Sequence, residues 1–193
     1  MSSHVGVEAT RRRLTQRQAR MVQRLAEAAV AELRAVGYAD LTVRNVAARA
    51  GVVPATAYTY FSSKNHLVAE LFWRRLQKLA TARNGDGGPR ERVVRVLRDI
   101  ALLVVDEPWL AAGCTTALLG GEPDVAQLRQ RIGGEIRRQL RGALGPGHDP
   151  QVLHALEFAF AGSLTHAGMG YVSYREVADR LAITATFIMK GAS

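Results

Sequence analysis

Apolar residues recur at three- and four-residue intervals along almost the whole chain, and no segment has the sustained alternation typical of a β-strand. This spacing places apolar side chains along one face of an α-helix. Glycine and proline separate the periodic segments at Gly37, Gly51, residues 84–89, Gly120 and residues 145–147. The pattern predicts about nine helices and no sheet, so we expect an all-α protein.

The composition excludes several classes of protein. Of 193 residues, 48% are hydrophobic and 22% are charged, which is ordinary for a globular protein and too apolar for a disordered one. The single cysteine excludes an intramolecular disulfide framework and a cysteine-rich zinc site. There is no run of about 18 apolar residues and no apolar stretch of a signal peptide. We therefore expect no membrane span and a cytoplasmic protein.

The positive charge is concentrated at the N-terminal end. The net charge is +9, and residues 1–66 hold 10 Lys and Arg against 4 Asp and Glu. The remaining two thirds of the chain are closer to neutral. A basic N-terminal third indicates an anion-binding module such as a nucleic-acid-binding domain, although a solvated basic surface has the same composition.

Residues 42–61 contain two short helical segments separated by a glycine turn. Thr42 begins the first segment, Gly51 ends it, and Pro54 begins the second. This is the helix-turn-helix pattern, in which the second helix lies in the major groove of DNA. Small side chains such as Ala55 permit close approach, and the threonine and tyrosine hydroxyls that follow can donate to phosphates.

Several residues of this region match a known signature in order and without gaps: Gly37-Tyr38, Thr42-Val43, Val46-Ala47, Ala50-Gly51-Val52, Thr56, Tyr58, Tyr60-Phe61 and Ser63-Lys64. Over about residues 20–70 the chain resembles TetR-family transcriptional regulators. Two positions depart from the family pattern. Val53 stands where serine is usual, which removes a side-chain cap at a cost of about 1 kcal/mol, and Ala55 stands where glycine is common.

The resemblance implies which residues contact double-stranded DNA. The recognition helix would span about residues 54–60. The residues expected to contact the backbone phosphates are Thr42, Tyr58, Tyr60 and Lys64. The residues expected nearest the bases are Arg44, Pro54, Ala55, Thr56 and Thr59.

The resemblance also implies a homodimer formed by the last two helices, about residues 150–168 and 174–190. Two half-sites one helical turn apart need two recognition helices. Apolar residues lie along one face of each helix, and the alternative interpretation is that they form ordinary protomer core. These residues are Leu153, Leu156, Phe160 and Leu164 in the first helix and Val177, Leu181, Thr184 and Ile188 in the second.

The resemblance also implies an effector pocket in the C-terminal domain, between helices that combine apolar side chains with a few polar groups. Such a mixture favours a small lipophilic effector, for example a fatty acyl or hydrophobic drug-like molecule. The candidate lining residues are Leu103, Trp109, Leu110, Thr115, Leu118, Leu119, Phe158, Thr165 and His166. Cys114 is interpreted as a small buried hydrophobic residue. No cofactor and no metal site are predicted.

We therefore expect a basic arm at residues 1–17, a helix-turn-helix domain at 18–66 and an effector-binding and dimerisation domain at 67–193. Arg11–Arg13 in the arm could reach the minor groove or phosphates. The predicted function is a homodimeric repressor that binds a near-palindromic operator and is released by its effector. The alternatives are an activator of the same fold and a helical ligand-binding module that does not bind DNA. No catalytic motif is present, so an enzyme is not predicted.

Overall fold

The computed structural model describes residues 16–81 and 87–191. These residues form nine α-helices and no β-strand, which confirms the all-α prediction. A short 3₁₀ turn at Leu102–Val104 follows the fifth helix. The helices in chain order are α1 (Gln16–Asp40), α2 (Val43–Arg49), α3 (Pro54–Tyr58), α4 (Lys64–Thr81), α5 (Pro89–Ala101), α6 (Pro108–Leu118), α7 (Pro123–Leu144), α8 (Pro150–Gly168) and α9 (Tyr174–Lys190).

Local sequence signals mark most helix starts. Proline is the first residue of α3, α5, α6, α7 and α8, a position at which its missing N–H has no helical partner to lose. Side chains cap α2, α8 and α9 through Thr42, Asp149 and Ser173. At Ser173 the cap is reciprocal, because Glu176 also accepts a hydrogen bond from the Ser173 N–H.

One apolar core runs through the described helices and joins the N-terminal helices to the rest. Helix α1 packs against α2 and α6, and α4 packs against α6 and α7. Helix α5 packs against α9 and α7, and α8 packs against α9. Leu25, Leu67 and Leu110 are fully buried in α1, α4 and α6, and each such burial contributes roughly 1.5–3 kcal/mol. Helices α4 and α6 therefore connect the helix-turn-helix to the C-terminal helices.

Some predicted boundaries are corrected by the structure. Helix α1 already includes Gln16 and Arg17, so an arm that extends to residue 17 is wrong at its C-terminal end. Arg11–Arg13 lie outside the described residues. Gly37 interrupts the regular geometry of α1 with a φ of 74°, as a glycine at a predicted break does, and helical residues resume and continue to Asp40.

The glycine pair inside α7 does not break that helix. Gly133 and Gly134 are exposed, and an added Cβ on either would meet no atom within 4 Å. The buried face of α7 carries Leu128, Ile132 and Ile136. Packing of this face keeps α7 continuous despite the predicted loss of about 1 kcal/mol for each glycine.

Within the described ranges, no single helix has the length and apolar content needed to span a membrane. The segments Pro89–Val104 and Pro108–Leu118 meet that criterion only as a pair, and they are bent by 105°. The side chains of Leu97, Ile100 and Leu110 in this pair are buried in the core.

Candidate nucleic-acid interface

Helix α2 is started by a side-chain cap and held by three apolar contacts. The Thr42 hydroxyl accepts a hydrogen bond from the Asn45 N–H at 3.0 Å. Val43, Val46 and Ala47 are buried against the core. The cap satisfies a backbone donor that the first turn would otherwise leave free, and the predicted role of Thr42 at the start of α2 is thereby confirmed.

Helix α3 is short and weakly capped. Its N-cap residue, Val53, makes no side-chain hydrogen bond and is 65% exposed, as the departure from the family pattern predicts. Ala57 is fully buried under the helix, and Phe61 is buried directly after it. These two side chains anchor α3 to the core.

The predicted DNA contacts are mostly exposed side chains of α2, α3 and the residues that flank them. Half-buried positions are Thr56, Tyr60 and Lys64. Exposed positions are Thr42, Arg44, Pro54, Ala55, Tyr58 and Thr59. The Thr59 hydroxyl donates to the Ala55 carbonyl at 3.0 Å. The surface of α3 therefore combines a small aliphatic start with hydroxyl groups and no charged side chain.

Lys64 is the first residue of α4, and its ammonium group lies at the C-terminal end of α1. Its Nζ donates to the carbonyl oxygens of Tyr38 and Ala39 at 3.1 and 2.9 Å and lies 4.7 Å from the centre of the Tyr38 ring. A cation is stabilised there by the negative end of the α1 dipole. The ammonium group can still serve a phosphate, provided that it shares or exchanges these carbonyl partners.

Tyr38 connects this end of α1 to the C-terminal helices. Its hydroxyl bonds to the Asn65 side chain, and the Asn65 amide donates to Glu122 at 2.8 Å. An added Cβ on Gly113 of α6 would lie 3.0 Å from the Tyr38 ring, so glycine permits this close approach. Burial and the nearby Glu122 carboxylate raise the pKa of Tyr38.

Two arginines fix α2 to α1, and sequence reasoning missed both contacts. Arg49 of α2 pairs with the buried Glu32 of α1 at 2.6 Å. Arg24 of α1 donates to the carbonyls of Ala50 and Gly51. The position of Glu32 on the apolar face of α1 is the sequence signal that could have predicted the Arg49 contact. A buried carboxylate requires a partner.

The comparisons with known proteins agree with this geometry. Residues 25–71 match the family model described as bacterial regulatory proteins, tetR family. The chain is also 49% identical over 179 residues to an uncharacterized HTH-type transcriptional regulator of Mycobacterium tuberculosis. The aligned region covers 92% of this chain and 84% of that protein. The chain belongs to the TetR family. It is accordingly a DNA-binding transcriptional regulator.

Solved structures of TetR-family and related regulators share the fold. A TetR regulator from Rhodococcus sp. RHA1 superposes with a TM-score of 0.76 at 21% identity and covers 92% of this chain and all of that chain. A transcriptional regulator FadR from Bacillus subtilis, in complex with stearoyl-CoA, has a TM-score of 0.64 at 17% identity. This match covers 84% of this chain and 96% of that one.

The predicted effector-binding residues do not surround one interior space in this TetR-family protein. Leu110 is fully buried in the core, whereas Leu119 and Phe158 are 72% and 80% exposed. His166 is also exposed, and its ring contacts Tyr171 edge to face. The remaining candidates are half-buried: Leu103, Trp109, Thr115, Leu118 and Thr165. Leu119, Phe158 and His166 therefore lie on the protomer surface. The helix periodicity does not reveal which face is covered.

Two openings in the surface contain none of these candidates. A cleft of about 720 Å³ lies between α1 and α4 and is lined by Glu27, Val30, Glu70 and Arg74 among others. A groove of about 320 Å³ lies between α5 and α9 and is lined by Val94, Ile183 and Phe187 among others. Neither opening combines a closed apolar wall with the predicted polar groups.

Helix α6 links the half-buried candidates to the DNA-binding helices. Trp109 stacks against the Arg34 guanidinium of α1 at 5.5 Å. On the opposite side, the Tyr174 hydroxyl lies 2.7 Å from the Thr115 hydroxyl and donates to the Ala111 carbonyl at 2.8 Å. Cys114, which lies between Ala111 and Thr115 in the sequence of α6, is buried, as predicted. Burial raises the pKa of its thiol to about 12.

The exposed faces of α8 and α9 differ from the faces predicted for dimerisation. Leu153, Leu156 and Phe160 are buried in the protomer, as are Val177 and Leu181. These five side chains form core, which was the alternative interpretation, and assigning them to a dimer interface is wrong. Leu164 and Ile188 are half-buried and Thr184 is exposed. The large apolar side chains that remain exposed on the two helices are Phe158, Ile183 and Phe187.

Metal-ion chemistry has no candidate site among residues 16–81 and 87–191. No group of three or more His, Cys, Asp or Glu side chains in these ranges is placed to hold a metal ion. Carboxylates of the C-terminal helices pair with arginines instead. Glu157 accepts from Arg137 at 2.6 and 2.7 Å, and this pairing lowers the pKa of Glu157.

Proposed function

We propose that this TetR-family protein is a homodimeric repressor that reads a near-palindromic operator through residues 54–60. The observation that carries the proposal is the exposed face of α3, which begins with the small residues Pro54 and Ala55 and continues with threonine and tyrosine hydroxyls. A helix that starts with small side chains can lie deep in the major groove, where hydroxyls bond to base edges or phosphates.

The roles of individual side chains follow from their chemistry and position. Arg44 is an exposed cation of α2 and suits a guanine edge. Thr56 and Thr59 offer a methyl group to thymine and a hydroxyl to a base. Tyr58 and Lys64 offer a hydroxyl and an ammonium group to phosphates. Thr42 and Tyr60 are assigned to the backbone phosphates, and Pro54 and Ala55 are assigned to positions nearest the bases.

A homodimer would pair the exposed apolar faces of α8 and α9. Phe158, Ile183 and Phe187 are between 59% and 80% exposed, which is unusual for side chains of this size in an isolated protomer. An added Cβ on Gly162 of α8 would meet no atom of the protomer, so a partner helix could approach closely there. A two-fold interface of this kind presents two recognition helices to two half-sites.

The proposed effector is a small lipophilic molecule that enters beside α6. The half-buried residues Trp109, Thr115 and Leu118 lie on this helix, and α6 also contacts α1 through Trp109 and Gly113. A ligand that displaces α6 would therefore move α1 and change the spacing of the recognition helices. The Bacillus subtilis regulator in complex with stearoyl-CoA has the same fold, which supports testing acyl-coenzyme A molecules.

The test of DNA recognition is selection of bound duplexes from a random library by the purified full-length protein. We expect a consensus of two inverted half-sites whose centres are about one helical turn apart. Thr59→Ala should relax preference at one position of each half-site and cost about 1–3 kcal/mol in specific binding. Failure to enrich any consensus would contradict the proposal.

The matched control is Thr116→Ala in α6. Thr116 is an exposed threonine whose hydroxyl donates to the carbonyl four residues earlier, as Thr59 does. Loss of that local bond alone should leave operator binding unchanged. Equal losses for both variants would indicate an effect on helix stability rather than on DNA contact.

The test of effector release uses the selected duplex with stearoyl-CoA and stearic acid as probes. Release by either probe, with no effect on binding to scrambled DNA, supports a lipophilic effector. Leu118→Trp should weaken release because it fills the space beside α6. Stronger transcription of a reporter when the protein is bound would identify an activator instead of a repressor.

A further inference from the structure

The turn that precedes the recognition helix is a determinant of its direction, together with the buried side chains of Ala57 and Phe61. Helix α3 has only five residues, and its first residue follows a Val53 cap that makes no side-chain hydrogen bond. Its principal packing partner is α2. A helix this short has little rigidity of its own, so the path of residues 50–53 contributes to where its exposed side chains point.

Arg24 of α1 holds that turn by its backbone. The Arg24 Nε donates to the Ala50 carbonyl at 2.6 Å, and Nη2 donates to the Gly51 carbonyl at 2.9 Å. These carbonyls follow the C-terminal end of α2, where a cation is stabilised by the helix dipole. The planar fork of a guanidinium reaches both oxygens at once, which a single ammonium group does less well.

Gly51 is adapted to this contact in two ways. Its φ of 64° lies in the left-handed region that glycine adopts without strain. An added Cβ at this position would lie 3.0 Å from Nη2 of Arg24. The glycine of the turn therefore serves the backbone path and the approach of the arginine together.

A second contact holds the last residue of α2 to α1. Arg49 of α2 pairs with Glu32 of α1 at 2.6 Å, and Glu32 is buried. Arg24 and Glu32 are eight residues apart on α1, about two helical turns. Both contacts hold the C-terminal end of α2 to α1, and the turn and α3 follow directly from that end.

We propose that Arg24 is a positioning residue for DNA recognition, which sets the direction of the recognition helix by binding the carbonyls of the helix-turn-helix turn. Arg24 acts through the backbone of Ala50 and Gly51 and does not contact a phosphate. The inference rests on the proposed reading of DNA by α3. It adds a determinant of operator preference that lies outside the two short helices.

The experiment compares Arg24→Lys, Arg24→Gln and wild-type protein on the selected duplex and on scrambled DNA at several salt concentrations. Arg24→Lys keeps the charge and loses the two-pronged contact. We expect at least about a tenfold loss of specific affinity for both variants, with binding to scrambled DNA and the salt dependence unchanged. Wild-type affinity for Arg24→Lys, with a salt slope reduced by about one for Arg24→Gln, would identify a phosphate contact and overturn the proposal.

The matched control is Arg92→Lys. Arg92 donates to the Ala143 carbonyl near the end of α7 at 3.0 Å and to the Gly87 carbonyl at 2.6 Å. The Gly145 that ends α7 also has a positive φ, 85°. This variant removes a similar contact far from the helix-turn-helix, so it should change thermal stability without changing the ratio of specific to scrambled binding.

Amide hydrogen exchange of the free protein tests the inference without an operator. Arg24→Lys should speed exchange at the amides of Val52, Thr56 and Tyr60, and leave the amides of α7 and α9 as they are in the wild type. Unchanged exchange in residues 50–60 would overturn the positioning role. If wild-type protein selects no consensus duplex, the proposed function fails, and the exchange result still decides whether Arg24 holds the turn.

Discussion

The helix-turn-helix and the pair α8–α9 are both built from amphipathic helices, yet their sequences are informative to different degrees. In residues 42–61 every buried side chain is apolar, as Ala57 and Phe61 are, and every polar side chain is exposed or half-buried. In α8 both faces carry aromatic residues: Phe160 is buried and Phe158 is 80% exposed. Where a helix has one apolar face, the sequence identifies the face that packs into the core. Where a helix has two apolar faces, the sequence does not identify which one faces the core and which one is left for a second molecule.

The largest expected effect is a loss of stability on truncation of the buried aromatic residue of α8, compared with truncation of the exposed one. Phe160→Ala should lower the free energy of unfolding by about 3–5 kcal/mol, because it removes a buried ring and leaves a cavity. Phe158→Ala should lower the stability of the isolated protomer by less than about 0.5 kcal/mol and shift the dimer toward monomer. Denaturant unfolding and sedimentation at several concentrations measure the two effects.

A loss of protomer stability in Phe158→Ala as large as that in Phe160→Ala would remove the distinction between the faces. Ile183→Ser and Phe187→Ser provide the second arm, because both side chains are exposed on α9. We expect them to resemble Phe158→Ala. An unchanged molecular mass for all three variants would contradict the proposed interface.

The next effect tests how tightly the C-terminal core is closed around α6. Burial raises the pKa of Cys114 to about 12 from an ordinary 9.0, so at pH 8 its thiolate fraction is about a thousandfold smaller than that of a free thiol. Alkylation should proceed only as the protein opens. Reaction at the rate of an exposed thiol at pH 8 would show an open channel beside α6.

The same thiol predicts a dependence of stability on pH. Because the folded state raises the pKa, the folded form holds its proton more firmly than the unfolded form. This contribution to stability is fully present below pH 9 and is lost as the pH rises toward 12. Denaturant unfolding of wild type and Cys114→Ala from pH 8 to 11 isolates the contribution of this thiol. Plots of unfolding free energy against pH that stay parallel for the two proteins above pH 9 would contradict the burial of Cys114.

A smaller effect compares equivalent caps in the two regions. Thr42→Ala and Ser173→Ala each remove a hydroxyl that accepts an N–H at the start of a helix. Each should lower the free energy of unfolding by about 1 kcal/mol. Only Thr42→Ala should also weaken operator binding, since α9 is remote from the recognition helix. Equal losses of DNA affinity would mean that DNA binding follows global stability.

The smallest effect restores the missing cap of α3. Val53→Ser places a hydroxyl at a position that is 65% exposed, so little packing is lost. We expect stabilisation of up to about 1 kcal/mol and tighter operator binding, with Val53→Ala as the variant that adds no cap. Thermal unfolding of both variants measures the gain, and no difference between them would indicate that the hydroxyl does not reach a backbone N–H.

Much of the DNA-binding region could be predicted because its signals are local. The Thr42 cap, the break at Gly37 and the uncapped Val53 depend on residues at most a few positions away. The contacts of Arg24 and Lys64 were not predictable in the same way, because each joins residues about 25 positions apart. Exposed arginines and lysines are common, and nothing in the sequence marks these two as ligands of backbone carbonyls.

The sequence by itself determined the helices, their approximate ends and the family, since apolar period, glycine and proline act within a few residues of the chain. Tertiary structure alone decided which apolar faces are covered. Leu110 became core and Leu119 became surface although both belong to the same apolar stretch. Burial depends on which helices meet, and α6 meets α1, α4 and α8, which are distant in sequence. The same reason explains why a turn in the helix-turn-helix is held by an arginine from α1.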